Sequence, residues 1–406
     1  MSRIFYCIAL IWALSCAAVA QDFSALARIQ PDQSRIVDTG RTGVQVDLGL
    51  SQGVPYRIFT LRDPYRMVMD FQEVDWSGLN SSDFLQSELI SGVRFGAYVP
   101  GWSRLVLELG APMDVDTAEM KIDPNAGTAL LTLNLKGVDF DVFNASAGEP
   151  KNPGWDLPEP SLTGQATPRK SDGPLRVMLD PGHGGIDPGA EVGGITEKNM
   201  MLTFARELRE MLLRSGGYEV VMTRVDDQFV SLERRIALAH RAGADVFISL
   251  HADSLSEGQA HGAAVYTLSD EASDVASAKL AERHDRADLL AGVDLKGADD
   301  EVTDVLLDLA RQETEPRTDA LAQALVNGMA QQGGPMNRKP LRTASFSVLK
   351  AADIPSVLVE LGFLSSPRDL ENIKNPDWRA KMAFGIYQGL EDWNQRDVIR
   401  RSLIGQ

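Results

Sequence analysis

The first third of the chain alternates apolar and polar residues with a period of two, as half-buried β-strands do. Turn-forming Pro, Gly, Asn and Asp residues separate the alternating stretches. Short strands at this spacing are typical of an all-β sandwich, and we predict one over residues 22–144. The clearest alternating stretches are 44–48, 56–61, 67–71, 103–109 and 129–135.

From residue 175 onwards the pattern changes to short apolar runs that alternate with helical stripes. An amphipathic stripe over 196–215 predicts a helix, and a second pattern over 377–394 predicts a closing helix. Alternating strands and helices favour an α/β sheet with helices on its faces, and we expect this domain to span residues 175–400. The apolar runs that predict buried strands are 177–179, 218–223, 245–250, 263–268 and 356–359.

Residues 145–174 lie between these two regions and show no apolar period. Prolines recur along this segment, mixed with Gly, Ser and charged residues, so we predict an extended, semi-rigid linker. Its prolines are Pro150, Pro153, Pro158, Pro160, Pro168 and Pro174.

The first twenty residues have the pattern of a cleavable signal peptide. Arg3 precedes an apolar core, and the small residues at 18–20 form a cleavage site, so we expect cleavage after Ala20. The alternative is a lipid-modified Cys16, but the residues before it match a lipoprotein signal poorly. The apolar run is too short for a permanent membrane span.

Charge and cysteine content exclude several classes of protein. The net charge is −17, and such an acidic chain offers no basic surface for nucleic acid. The two cysteines, Cys7 and Cys16, both lie in the signal peptide. The mature protein therefore has no disulfide and no cysteine nucleophile, which suits an oxidising compartment.

Three predicted strands each lead into a side chain that can bind a metal or carry a proton. His183 lies in the glycine-rich turn after the first run, His251 follows the run 245–250, and Glu360 follows 356–359. Glu197 is the first residue of the next helix, which Thr196 can cap. In open α/β sheets the carboxyl ends of the strands meet at one edge, where sites form.

Two imidazoles and a carboxylate are a common catalytic zinc set that leaves one position open. We assign His183, Glu197 and His251 to a Zn²⁺ ion. Amide cleavage also needs a proton for the leaving nitrogen, and we assign that role to Glu360.

Each of these residues also has an ordinary structural explanation. His251 alone could be a structural histidine, Glu197 could favour the positive end of a helix, and Glu360 could be a buried ion-pair partner. The glycine-rich turn could cradle an oxyanion, as in a phosphatase, but the arginine placement that phosphate needs is not evident. The four residues together with this turn favour the metal site.

The motifs DPGHGG, SLHAD and IPSVLVELGFLS, with Glu197 after the first, resemble zinc-dependent N-acetylmuramoyl-L-alanine amidases of the periplasmic, Gram-negative type that separates daughter cells. The resemblance covers residues 175–393. It implies zinc-dependent cleavage of the amide bond between N-acetylmuramic acid and the L-alanine of the peptidoglycan stem peptide. It also implies the same roles for His183, Glu197, His251 and Glu360.

The N-terminal region is similar, more weakly, to the wall-binding AMIN-type β domain that often precedes this amidase, most clearly over residues 61–71. The resemblance implies that residues 22–144 bind peptidoglycan and localise the enzyme. The alternative is a folding or spacer module.

Two other functions use the same residues. A protein that keeps the fold without the chemistry would bind the wall only, although all four site positions are filled. A carboxypeptidase that acts on stem peptides could use the same zinc site, because the site does not specify which amide is presented. The identity of the released product separates these alternatives.

An acidic segment interrupts the second half of the chain. From Asp270 to Asp319 there are fifteen Asp and Glu against six Lys and Arg, a net charge of −9. We predict a helical insert over residues 270–317, with one helix over 271–290. The second carries an apolar stripe of Val302, Val305, Leu306 and Leu309. Alternatively, the whole insert could be a solvated helical hairpin that shields one face of the sheet.

In related cell-separation amidases, a helical insert lies over the zinc until an activator protein moves it aside, and an acidic residue on the helix reaches the metal. The resemblance therefore implies autoinhibition and a periplasmic activator, which we expect to bind the apolar stripe at 302–309. Two residues of the insert are candidates for the blocking ligand, Glu282 and His284.

Overall fold

A computed structural model describes residues 26–72, 74–99, 101–150, 173–255, 260–292 and 301–404. The predicted signal peptide and most of the predicted linker lie outside these residues. For residues 301–310 only the backbone is described, so the side chains of the predicted stripe at 302–309 are outside the description. None of the helices described is long and apolar enough to span a membrane.

The N-terminal region forms two packed β-sheets. Its strands are β1 (Ala27–Thr39), β2 (Gly43–Leu50), β3 (Tyr56–Leu61), β4 (Arg66–Gln72), β5 (Val74–Asp75), β6 (Leu85–Gln86), β7 (Ile90–Val99), β8 (Trp102–Leu109), β9 (Met113–Ile122) and β10 (Ala129–Gly137). One sheet has the order β5-β1-β2-β10-β9, with β6 also paired to β1, and the other has the order β3-β4-β8-β7. Two short helices, α1 (Ser81–Phe84) and α2 (Phe140–Ser146), complete the domain.

Alternate residues of the strands fill the space between these two sheets. Leu131 and Leu133 on β10 are fully buried, whereas Leu130, which directly precedes Leu131, is 36% exposed. Met67 and Phe71 on β4 enter the same core from the opposite sheet. The predicted all-β sandwich is confirmed. The hydrophobic pattern missed β1, β7 and β9, because polar residues and glycines interrupt the alternation there.

The C-terminal region is built on a six-stranded mixed sheet. Its strands are β11 (Leu175–Pro181), β14 (Tyr218–Met222), β15 (Val246–His251), β16 (Ala263–Leu268), β17 (Met336–Ala344) and β18 (Ser356–Glu360), and β12 (Glu191–Val192) pairs with β13 (Ile195–Thr196) as a separate hairpin. The order is β14-β11-β15-β18-β16-β17. Neighbouring strands are parallel except for β16 and β18.

Helices cover both faces of this sheet. The helices are α3 (Glu197–Ser215), α4 (Leu232–Ala242), α5 (Val275–Leu290), α6 (Glu301–Gln331), α7 (Pro367–Lys374) and α8 (Pro376–Ile404), with a 3₁₀ turn at Ser347–Leu349. One core contains Phe204 on α3, Leu325 on α6 and Ile386 on α8. The other contains Ala239 on α4 and Leu280 on α5. The predicted α/β domain with helices on its faces is confirmed.

The acidic insert is helical but does not end where the sequence suggests. The boundary predicted at Arg317 falls inside α6, which continues unbroken to Gln331. Leu321 and Leu325 are fully buried in the domain core, so the second half of α6 belongs to the catalytic domain. Arg317 donates a hydrogen bond of 2.8 Å to Asp397 on α8. The acidic composition of the segment hid this change from insert to core.

Candidate active site

The strands β11, β15 and β18 lie side by side and parallel, so their carboxyl ends meet at one edge of the sheet. His251 and Glu360 are register partners at the ends of β15 and β18. His183 follows β11 directly, in the turn that the glycines permit. The convergence of the three predicted strand ends is therefore observed.

The turn after β11 is tightly constrained. His183 itself has a positive φ of 59°, an unfavourable conformation for a residue with a side chain. A Cβ atom on Gly182 would lie 2.2 Å from Cε1 of His251, so only glycine fits there. Arg235 donates to the carbonyl of His183 at 2.9 Å, and Arg224 donates to that of Gly182 at 2.9 Å. These bonds fix the orientation of the His183 backbone.

Beneath the turn, the fully buried Asp180 anchors the same arginine. Its carboxylate accepts hydrogen bonds from Arg235 at 2.5 Å, from Thr223 at 2.6 Å and from Ser249 at 2.6 Å. Burial alone would raise the pKa of Asp180, but the Arg235 charge and the two hydroxyl donors outweigh it and lower the pKa. Arg224 and Arg235 therefore both support the turn.

Glu197 lies between the two predicted histidine ligands. Its Oε2 atom is 3.2 Å from Nε2 of His183, and its Oε1 atom is 3.0 Å from Nδ1 of His251. The backbone amides of Ala190 and Ala252 also donate to its two oxygens, at 3.0 and 2.8 Å. Glu197 begins α3, but the hydroxyl of the preceding N-cap residue makes no capping hydrogen bond. The predicted ligands therefore form one contiguous cluster.

His284, on the insert helix α5, completes this cluster. Its ring centroid lies 4.2 Å from that of His251 and 5.7 Å from that of His183. The three histidines can each offer one ligand atom such that these atoms lie within 4.8 Å of one another. Glu282, the other candidate for the blocking ligand, is exposed, whereas His284 is 4% exposed.

The site also contains a carboxylate that the sequence did not assign to it. Asp187 accepts a hydrogen bond of 2.6 Å from Nδ1 of His183, which leaves Nε2 to face Glu197. A carboxylate behind a histidine commonly fixes the tautomer of a metal ligand. The only signal in the sequence was its position, four residues after His183 in the same loop.

Burial and neighbouring charges shift the pKa values of the clustered side chains in different directions. Burial would lower the pKa of His183, but Asp187 and Glu197 outweigh it and raise that pKa. Burial would raise the pKa of Glu197, yet the two histidines hold it well below its usual range. Burial and the neighbouring His284 lower the pKa of His251 to about 4. His251 is therefore neutral at pH 7 and offers a lone pair to a cation.

Glu360 lies beside the cluster, and its pKa is shifted in the opposite direction to that of Glu197. It is fully buried, and its Oε2 atom accepts a hydrogen bond of 3.2 Å from the amide of Asp253. Burial, together with the charges of Glu197 and Asp253, raises the pKa of Glu360 well above its usual range. A carboxyl group with a raised pKa can hold a proton near neutral pH.

Several buried polar atoms of the histidine cluster and of the carboxylates beside it have no hydrogen-bond partner in the described structure. They are Nε2 of His183, Nε2 of His284, Oε1 of Glu360 and Oδ2 of Asp253. Buried polar groups are normally paired, so their concentration here indicates a missing charge. The spacing of 3.2 Å between Nε2 of His183 and Oε2 of Glu197 suits two ligands at about 2.0–2.2 Å from one zinc ion. Nitrogen and oxygen donors without sulfur also suit zinc.

The insert helix leaves little space over the cluster. A cavity of about 20 Å³ adjoins His183, His251 and His284, and a larger one of about 290 Å³ lies between His183 and Arg283 of the insert helix. Arg283 on α5 donates to Asp253 at 2.9 Å, which ties the helix to the loop after β15. A space of about one water molecule cannot admit a peptide.

Comparisons with known proteins agree with this geometry. The model of the N-acetylmuramoyl-L-alanine amidase family (Amidase_3) matches residues 177–392, and the AMIN domain model matches residues 34–131. The chain is 31% identical over 401 residues to N-acetylmuramoyl-L-alanine amidase AmiC of Neisseria meningitidis serogroup B, covering 94% of this chain and 92% of the relative. It is 30% identical over 367 residues to AmiC of Escherichia coli O6:H1, covering 86% and 85%.

A third relative is N-acetylmuramoyl-L-alanine amidase AmiA of Salmonella typhimurium, 36% identical over 269 residues, with 65% of this chain and 88% of the relative covered. The amidase model spans more than half of the chain, and the Neisseria relative is matched along nearly its whole length. The chain therefore belongs to the N-acetylmuramoyl-L-alanine amidase family and carries an N-terminal AMIN domain before its amidase domain.

Proposed function

We propose that this protein is a zinc-dependent hydrolase of peptidoglycan. It cleaves the amide bond between N-acetylmuramic acid and the L-alanine of the stem peptide, during cell-wall remodelling and the separation of daughter cells. One observation carries the proposal: His183, Glu197 and His251 converge at the sheet edge, where the buried Nε2 atom of His183 and the buried Oε1 atom of Glu360 make no hydrogen bond within the described residues. Membership of the amidase family supports the choice of bond.

In this proposal His183, Glu197 and His251 hold the zinc ion. A zinc ion bound there would lower the pKa of a water molecule towards neutrality and polarise the carbonyl of the scissile amide. Asp187 keeps Nε2 of His183 free for the metal by accepting the proton of Nδ1. The hydrogen bonds from Ala190 and Ala252 hold the Glu197 carboxylate in place.

Glu360 transfers the proton in this proposal. Its position beside His251 on the neighbouring strand puts it within the same edge of the sheet, and its unpaired Oε1 atom is available to a substrate. As a general base it takes a proton from the attacking water, and as a general acid it delivers that proton to the leaving nitrogen. Its raised pKa supports the acid role, because the shift favours the protonated form of the carboxyl group.

The insert inhibits the enzyme, with His284 as the blocking ligand. Its buried ring lies tilted beside that of His251, and its Nε2 atom, which makes no hydrogen bond and lies 3.7 Å from Oδ2 of Asp253, supports a role as a fourth donor to the metal. A fourth protein ligand would close the position that catalytic zinc sites leave open. Glu282 is exposed, so we do not assign it to the metal.

A periplasmic activator protein relieves this inhibition by binding the stripe of Val302, Val305, Leu306 and Leu309. Substituting Leu306 and Leu309 by Glu would then prevent activation. The same double substitution would not change the activity of a chain whose residues 275–300 are replaced by a Gly-Ser linker of equal length. We call this variant the insert-replaced chain. It keeps α6 and the ion pair between Arg317 and Asp397.

Residues 1–20 direct export to the periplasm, and the N-terminal domain, residues 22–144, binds peptidoglycan and localises the enzyme. The match to the AMIN domain supports this assignment. Co-sedimentation of the full chain with purified sacculi, compared with a chain that lacks residues 22–144, tests it. Equal sedimentation of the two chains would leave the domain a folding or spacer module.

The deciding experiment measures the mass of the product. The insert-replaced chain is incubated with purified sacculi and zinc, beside the same chain carrying Glu360→Gln. Release of intact stem peptides by the first and not the second establishes the amidase and the role of Glu360. Loss of a terminal D-alanine alone would indicate a carboxypeptidase, and no release by a folded, zinc-loaded chain would indicate a wall-binding protein.

A further inference from the structure

The end of the insert helix is buried against the N-terminal domain. Ala291, which directly follows α5, is 1% exposed and belongs to a small apolar cluster. This cluster joins three parts of the chain, which are the N-terminal sandwich, the loops around the active site and the insert. Its members are Phe59, Leu61, Val68, Val106, Ile186, Phe229 and Ala291.

A buried cation on the N-terminal domain makes the polar contact at this point. Arg104, 1% exposed, donates from Nη1 to the carbonyl of Gly292 at 2.7 Å and to that of Ala291 at 3.3 Å. These two carbonyls directly follow the last residue of α5, where the negative end of the helix dipole lies. A buried guanidinium is therefore a suitable partner for the end of α5.

Arg104 is held in place before it reaches the insert. Its Nε and Nη2 atoms donate to the two carboxylate oxygens of Asp70 at 2.6 and 2.9 Å. Its guanidinium also lies 3.6 Å from the centroid of the Tyr98 ring. This geometry fixes the direction of Nη1, so the contact with the insert costs little additional ordering.

The contact is also sterically tight. Gly292 has a positive φ of 76°, and a Cβ atom there would lie 3.0 Å from Val68 and 3.2 Å from Val106. The chain passes directly over β4 and β8 at this glycine. We call the side chains of Phe59, Val68, Tyr98, Arg104 and Val106 the docking surface.

The same helix carries His284, eight residues before Gly292. A helix of sixteen residues behaves as one body, so fixing its end also fixes the position of His284 over His251. The N-terminal domain also contacts the active-site loop, because the amide of Ile186 donates to the carbonyl of Ala97 at 2.9 Å. The domain thus bridges the blocking helix and the loop that bears His183.

We propose that the docking surface binds the end of the insert helix and thereby keeps His284 over the metal site. The N-terminal domain then regulates catalysis in addition to binding the wall. This proposal rests on the proposed autoinhibition and names what stabilises it. The partner that the docking surface fits is the segment 291–292 of this chain.

Hydrogen exchange of α5 in the full chain tests the docking directly. Gly292→Val places a side chain against Val68 and Val106 and leaves the N-terminal domain unchanged. We expect α5 amides to exchange about 10- to 100-fold faster, the effect of losing a hydrogen bond to a charged group. Gly333→Val is the matched control, because Gly333 has a similar φ of 74° but open space around it.

Arg104→Met tests the same contact from the other side, and Arg57→Met is its control, because Arg57 also pairs with Asp70, at 2.9 Å. We expect Arg104→Met and Gly292→Val to raise the basal amidase activity of the full chain, and the two control variants not to do so. In the insert-replaced chain, Arg104→Met should leave the activity unchanged. Gly292→Val keeps the test valid if Arg104→Met fails to fold.

The outcomes separate this proposal from the proposed function. Unchanged protection of α5 in folded Gly292→Val and Arg104→Met chains would overturn the docking. Faster exchange without a rise in basal activity, while the insert-replaced chain is active, would overturn the regulatory role. An inactive insert-replaced chain would instead refute the amidase function, and the exchange data would still decide whether the surface binds the helix.

Discussion

The imidazole rings of His284 and His251 lie with their centroids 4.2 Å apart, although their positions differ by 33 in the sequence. One ring belongs to the acidic insert and the other to the end of a core strand. This contact places a potential ligand of the insert directly at the proposed metal site, and it determines what several substitutions should do.

Substituting His284 by Ala should raise the activity of the full chain in the absence of any activator. Loss of a buried ring contact worth about 1 kcal/mol shifts the insert towards its open position by about fivefold. Stem-peptide release from sacculi measures the effect. Glu282→Ala is the control, because Glu282 is exposed on the same helix. A rise in the control and not in His284→Ala would make Glu282 the blocking residue.

Glu360→Gln should lower the rate of amide cleavage by about 10²- to 10⁴-fold, because glutamine cannot exchange a proton with the reactants. The substitution keeps the size of the side chain, so zinc content should stay equal to that of the parent chain. Turnover of a soluble muramoyl peptide and metal analysis of the same sample provide the two readouts. Near-normal turnover with a full metal content would remove Glu360 from the mechanism.

Asp187→Asn should weaken zinc binding by about 10- to 100-fold, the usual effect of removing a carboxylate behind a ligand histidine. The lost contact is the 2.6 Å hydrogen bond to Nδ1 of His183. Competition with a chromophoric chelator measures the affinity without depending on activity. Unchanged affinity would mean that the turn around His183, held by Arg224 and Arg235, orients the ring without help from Asp187.

Gly189→Ala should lower zinc affinity by about 5- to 150-fold, because strain of this kind costs on the order of 1–3 kcal/mol. A Cβ atom there would lie 2.6 Å from the His183 ring and 2.7 Å from Glu197, and the residue has a φ of 67°. Gly193→Ala, with a φ of 58° and no atom within 4 Å of a Cβ, is the matched control for backbone strain alone. Equal affinities in the two variants would contradict the steric argument.

Docking of the insert should weaken as the pH rises from about 4 to about 7. Burial raises the pKa of Asp288 on α5 from 3.8 to about 7, only partly offset by the amide of Leu232 and the charge of Arg235. A raised pKa in the docked state means that docking is strongest below the ordinary pKa and loses strength until the group is ionised. Hydrogen exchange of α5, corrected for intrinsic rates, should show more protection at pH 5.5 than at pH 8.

Asp288→Asn should remove this pH dependence, because asparagine is neutral at both pH values. It can still accept the hydrogen bond from the amide of Leu232, which Asp288 accepts at 2.8 Å. A variant that retains the full change in protection between pH 5.5 and pH 8 would assign the titration to another group.

The local patterns of the chain were enough to predict the two fold classes and the four proposed catalytic residues. His251 and Glu360 directly follow short apolar runs, His183 lies in the turn after another, and the carboxyl ends of parallel strands must meet at one edge. Such a prediction needs only the ends of elements and their order along the chain. The predicted convergence of the strand ends is observed because β11, β15 and β18 are neighbours in the sheet.

Only the tertiary structure shows which residues that are far apart in the sequence contact one another. The sequence offered Glu282 and His284 equally, and only the packing of α5 buries one and exposes the other. Likewise, nothing near Arg104 in the sequence indicates that it contacts Gly292, 188 residues later. Hydrophobic periodicity determines the elements because it acts between near neighbours in the chain. The contacts between the insert, the active site and the N-terminal domain depend on how whole elements pack.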